Sequence, residues 1–122
     1  MPTNLTSSSV TIVRSWTEGH VTGKDRKGAL LTIAGAVTAG GTTNLMLASA
    51  MGFAKIESCG NFLIYTTATG VTLRVVPAMP SLDGTVINTC DVGAVAGAAH
   101  MNVADVAIAA AESAQVEVHG YV

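Results

Sequence analysis

Charge is what this chain has least of. Only 11 % of its 122 residues are Asp, Glu, Lys or Arg, against about 25 % in an average soluble domain. Six basic and eight acidic residues leave a formal net charge of −2, so there is no basic footprint for nucleic-acid phosphates. Aromatics are scarce too, with one Trp, two Tyr and two Phe, too few to make a platform on which bases stack. Nucleic acid is therefore excluded as a partner. Two cysteines, Cys59 and Cys90, make neither a disulfide scaffold nor a metal cluster. The amino terminus has neither the basic nor the apolar region of a signal peptide. The expectation is a protein made in a reducing cytoplasm with two free, buried thiols, although their separation permits a bridge. By the same reasoning the Asn4-Leu5-Thr6 sequon carries no meaning. The length suits one domain with a real core, and excludes a barrel enzyme or a dinucleotide fold with a separate substrate domain.

Against those absences, 49 % of the residues are hydrophobic and the mean hydropathy is +0.50. Something other than charge must keep such a surface from sticking. Two devices are expected together: a skin of Thr, Ser, Ala and Gly, and burial of part of the surface against partner chains. Residues 28–54 contain no charge and are long enough to span a bilayer. Their middle, Ala39-Gly40-Gly41-Thr42-Thr43-Asn44, reads as a turn that hydrocarbon would leave unsatisfied, and Leu30 to Thr38 alternates with period 2. No membrane helix is expected.

Residues 1–9 read as a flexible polar arm and residues 10–122 as a single β-sandwich domain, jelly-roll-like, with one or two short helices. Val10 to Arg14 is a first strand with Trp16 at its end. Glu18 to Lys27, the most charged stretch, reads as a solvated loop tip. Leu31 to Thr38 predicts a half-buried strand with Leu31, Ile33 and Val37 inward, and Gly35 marks a bulge or a close backbone approach. Leu45 to Phe53 reads as a short helix or helical turn capped by Asn44 and stopped by Gly52. Ala54–Ser58 and Asn61–Thr67 are strands, and the second forms a hairpin with Val71–Val76, where Val71, Leu73 and Val75 share a side. Pro77 to Gly84 is a loop closing on an Asp-Gly turn. Thr85 to Cys90 is a strand, and a helix is expected from Asn102 or Val103 to Ala111. Ala114 to Val122 is the closing strand, with Val116, Val118 and Val122 inward and His119 on the polar face.

No motif proposes chemistry. The glycines of Gly35 to Thr42 approach a phosphate loop, but the required lysine is replaced by Gly41. His20, His100 and His119 lie in separate segments without ligand spacing. Neither cysteine has a basic neighbour to activate it, and the carboxylates Glu18, Asp25, Glu57, Asp83, Asp91, Asp105, Glu112 and Glu117 are scattered. No catalytic, cofactor-binding or metal residue is assigned, no cofactor is expected, and the chain reads as no enzyme. Gly93-Ala94-Val95-Ala96-Gly97 has close-packing spacing, but reads as a flexible loop. Trp16 reads equally as a core anchor or an interface hot spot.

A strand ending near Gly41-Thr42-Thr43-Asn44, followed by Leu47-Ala48-Ser49-Ala50-Met51-Gly52-Phe53 and Ala54-Lys55-Ile56-Glu57-Ser58, resembles tailed-bacteriophage head decoration (cement) proteins. The resemblance covers roughly residues 29–76 and the valine-rich strand 114–122. It implies a β-rich viral structural protein that forms a homotrimer on the capsid surface of the virion, clamps neighbouring copies of the major capsid protein, and is assembled in the host cytoplasm. No site residue is carried over. The polar arm is expected to order on binding, as a strand added to a neighbour, so that deleting residues 2–9 would weaken attachment and spare the fold. Two rival readings remain. One is a receptor- or glycan-binding module of a virion fibre or spike, which needs an aromatic platform with Trp16 and Tyr121 as its candidates. The other is a head–tail connector or tail subunit, built as a six-fold or twelve-fold ring.

Overall fold

The structure is a computed structural model and describes residues 4–21, 23–90 and 103–122. It is mainly β, and every strand pairing is antiparallel. The strands are β1 (Val10–Val21), β2 (Lys24–Ala34), β3 (Val37–Ala39), β4 (Met46–Leu47), β5 (Lys55–Cys59) and β6 (Phe62–Thr66). They continue with β7 (Thr72–Val76), β8 (Ala78–Pro80), β9 (Val86–Thr89), β10 (Val106–Ile108) and β11 (Glu112–Tyr121). The main sheet runs β1-β2-β11-β6-β7, with β5 also pairing with β11. Two small sheets, β4-β9-β8 and β3-β10, are the others among the described residues.

Period-2 alternation builds the core. Ala29, Leu31 and Ile33 of β2, Ala114, Val116 and Val118 of β11, and Phe62 and Ile64 of β6 are buried. They form one cluster with Met46, Ile87, Val106 and Ile108 of the small sheets and with Met51 and Phe53. Each large side chain removed from water in this way stabilises the fold by about 1.5–3 kcal/mol. The expected strands in 54–67, 71–76, 85–90 and 114–122 are present within a few residues of their predicted ends, whereas the single strand expected over 31–38 is divided between the end of β2 and β3, which belong to different sheets. Gly35 is the predicted close approach, since a Cβ there would run into the backbone carbonyl of Ala109.

Several expectations are corrected. Of the short helix or helical turn expected over 45–53, only a turn is present, the 3-10 turn Ala48–Met51, and the short strand β4 precedes it. Met46 and Leu47 pair with Ile87 and Val86, and Ala48 donates its N–H to Thr85 O. Burying Met46 against β9 outweighs a helical tendency too short to nucleate alone. Gly52 does end the turn, in the left-handed region at φ +84°. Asn44 is no cap: its Nδ2 donates to Asp105 Oδ2. The helix expected up to Ala111 is absent over residues 103–111, where β10 pairs with β3. Val106 and Ile108 face the core with Ala107 outward, a strand pattern that the alanines around it conceal in the sequence.

The charged stretch 18–27 is no loop. It forms the outer half of the β1–β2 hairpin, with His20 opposite Asp25 and Thr17 opposite Lys27. Residues 4–9 are no free arm either. Leu5 is buried in the core and donates its N–H to Leu45 O, while Leu45 N–H donates to Asn4 Oδ1. Removing residues 2–9 would therefore take a side chain out of the core as well as any docking contact. At the other end Val122 is exposed rather than inward. The spacing at Gly93–Gly97 and the chain around His100 and Asp91 lie outside the described residues.

Candidate functional site

The face of the main sheet turned away from the core carries most of the chain's chemistry. Register places Trp16 of β1, Gly28 of β2 and His119 of β11 in one row across three strands. Gly28 has no side chain, so the Trp16 indole lies over it; a Cβ at that position would collide with the ring. The His119 ring stands edge-on beside the indole, with centroids 5.9 Å apart and planes at 66°, an arrangement aromatic pairs prefer.

Glu18, two residues after Trp16 on β1, shares its face and sits at the irregularity between Thr17 and Gly19. One carboxylate oxygen, Oε2, accepts from Trp16 Nε1–H at 2.9 Å and from His119 Nδ1 at 2.7 Å. His119 Nε2 lies 3.7 Å from Glu117 Oε1. The Trp16 hydrogen bond does most to hold the Glu18 carboxyl below the usual glutamate range; desolvation opposes it, and the His119 contact and the nearby Arg26 guanidinium add smaller lowering effects. The next row holds Arg26 opposite Tyr121. Arg26 is hydrogen-bonded to Glu57 and lies 5.7 Å from the Tyr121 ring centroid.

Beside Glu117 the sheet opens into a shallow depression of about 360 Å³, lined by Leu30, Asn61, Leu63, Val75, Gln115 and Glu117 among others. Beyond it the face becomes apolar. Leu63, Val71, Leu73 and Val75 are 39 %, 58 %, 51 % and 49 % exposed. The predicted shared side of Val71, Leu73 and Val75 is thus the one facing solvent, while Val76 faces the core.

The other residues weighed in the sequence are placed as follows. Trp16 anchors no core; it is half-buried on the outer face. His119 sits on the polar face as expected, but is engaged there by two carboxylates. His20 pairs with Asp25 at the exposed end of the hairpin. Cys59 and Cys90 are both free and half-buried, and burial pushes the Cys59 thiol up to about 11. Asp83 accepts from the Thr85 hydroxyl and N–H and from the Ser81 hydroxyl, closing its own turn. Glu112 accepts from Ala109 N–H. The near-phosphate loop is already filled, since Gly41 N–H donates to the Asp105 carboxylate. Among the described residues no three of His, Cys, Asp and Glu come together as a metal site.

Sequence reasoning missed the Trp16–Glu18–His119 row. Its signal was a Trp and a Glu two residues apart on one strand, and a glycine, Gly28, between Arg26 and Leu30 on the same face of the next. What no spacing could show is the register that brings His119 to them from 101 residues away. Comparison with known proteins returned no matching family model, no matching curated protein and no matching solved structure.

Proposed function

We propose that this chain is a non-enzymatic assembly protein that associates with copies of itself through the apolar strip on β6 and β7. The observation that carries the reading is that strip: four large aliphatic side chains, each 39–58 % exposed, side by side on an edge of the main sheet. In a chain with 11 % charged residues, such a patch is best explained by a surface that becomes covered.

The two edges of the sheet also differ in how they are guarded. β1 carries Arg14 and Glu18 and two register shifts, devices that blunt an edge against pairing. β7 carries a single charge, Arg74, which is engaged with Ala107 O. β7 is therefore the edge offered to a neighbour. A strip on one edge that seats on a different surface of the next copy is a heterologous contact, and such a contact makes a ring where its rotation closes. A homotrimer is the ring proposed. The resemblance to head decoration proteins supplies the setting, a virion capsid surface on which the trimer binds the major capsid protein.

The test is the native mass of the purified chain by size-exclusion chromatography with light scattering. A particle of three times 12.3 kDa is expected, and Leu73→Lys or Val75→Lys should release folded monomers. A six- or twelve-fold mass would move the reading to a connector or tail ring. A monomer at high concentration would refute self-association through this strip.

A further inference from the structure

The Trp16 end of the outer face is a second functional surface that the assembly reading leaves unused. We infer that Trp16, Glu18, His119 and Glu117, with the depression beside them, form a binding site for a neutral carbohydrate.

The geometry supplies the parts that recognise a hexose. The Trp16 indole lies on the sheet with one face over Gly28 and remains half-buried, so its other face turns away from the protein. An aromatic face is electronegative and attracts the polarised C–H groups on the apolar side of a pyranose ring. The His119 ring, at 66° to the indole, makes a side wall to that floor. Sugar hydroxyls need acceptors and amide partners close by. Glu18 is held ionised by its contacts and uses one oxygen, Oε2, for both hydrogen bonds, leaving Oε1 for a ligand. Glu117 is 54 % exposed at the mouth of the depression, where the Asn61 and Gln115 amides also sit. Its volume of about 360 Å³ falls in the range of small-ligand sites, about 300–1,000 Å³.

Charge decides the class of sugar. Glu18, Glu57 and Glu117 share this face with Arg14, two residues before Trp16 on β1, and with Lys24 and Arg26, and the Arg26 guanidinium is hydrogen-bonded to Glu57. With three carboxylates and three cations on the face, a sulfated or sialylated chain finds no net positive charge to offset the desolvation of its anions. A neutral oligosaccharide meets no such penalty. Trp16, Glu18, His119 and Glu117 lie on β1 and β11, and the depression borders the strip at Leu63 and Val75; Leu73 does not line it, so Leu73→Lys tests self-association apart from sugar binding.

Trp16 is the only tryptophan, so its emission reports this one position. The full-length protein would be screened on an array of neutral hexose and N-acetylhexosamine oligosaccharides. Each hit would be titrated in solution while the Trp16 emission is followed. A saturable change with at least one probe is expected. By calorimetry, Glu18→Gln and Glu117→Gln should weaken that probe about tenfold each, as lost charged acceptors do. Trp16→Phe should keep part of the affinity and Trp16→Ala should lose it. Leu73→Lys should bind the sugar as the native protein does, which separates failure here from failure of the assembly reading. Melting curves identify any variant that has lost its fold; the exposed Glu117 side chain gives a substitution that spares it. No saturable change up to about 10 mM of every probe, or equal binding by folded Trp16→Ala, would overturn the inference.

Discussion

Glu18 shows how a single side chain acquires its properties from the fold. In the sequence it is one of eight acidic residues; in the structure it bridges Trp16 of its own strand and His119 of β11. Both partners favour the ionised form, so its pKa in the folded protein lies below the ordinary glutamate value. Folding therefore gains stability from Glu18 above about pH 4.3, and loses it as the pH falls through the lower folded value. Asp83 acts with the same sign, held down first by the Thr85 hydroxyl and then by the Thr85 N–H and the Ser81 hydroxyl. The melting temperature should accordingly drop as the pH falls below about 4.5, and less steeply in Glu18→Gln than in the native protein. Parallel profiles would mean that the Trp16–Glu18–His119 contacts contribute nothing to stability. Cys59 and Cys90 stand at the other extreme. Their reading as free thiols required only composition, because nothing in the chain asks them to react.

At the scale of elements, the strands with clean alternation were legible and the small-residue segments were not. β2, β6 and β11 each place large apolar residues two apart, and that spacing has one solution in a half-buried sheet. The segments around Ala48 and Ala107 misled because alanine favours a helix intrinsically but buries little surface to enforce one. There the long-range partner decided: β9 for Met46 and Leu47, β3 for Val106 to Ile108. Gly35 tests how tightly these elements are joined. It separates β2 from β3 and lies against the backbone of Ala109, just after β10. Because the obstacle is main chain, Gly35→Ala has no flexible side chain to displace. It should lower the unfolding free energy by about 1–3 kcal/mol in urea. An unchanged midpoint would show that the two segments can separate at little cost.

The whole molecule pairs a low charge content with one long sheet whose outer face is divided in two. The Trp16 end is polar and carries the ionic contacts; the β7 end is aliphatic. That division predicts how association responds to salt. An interface built from Leu63, Val71, Leu73 and Val75 contains no ion pair to screen, so the oligomer should persist in 1 M NaCl, where electrostatic range has fallen to about 3 Å. Dissociation at high salt would instead place the interface on the charged hairpin of β1 and β2.

Composition and periodicity together determined the class of this protein. Few charges, few aromatics and β-branched residues at alternating positions leave an antiparallel β domain as the economical way to bury 49 % hydrophobic residues. They also placed Val71, Leu73 and Val75 on one side and His119 on a polar face. Only the tertiary structure decided which side of β7 meets water, that residues 4–9 are fastened through Leu5, and that Trp16, Glu18 and His119 meet. The reason is that alternation is a local property of one strand. Register, sheet order and the choice of core face arise between strands distant in sequence, where no short spacing records them.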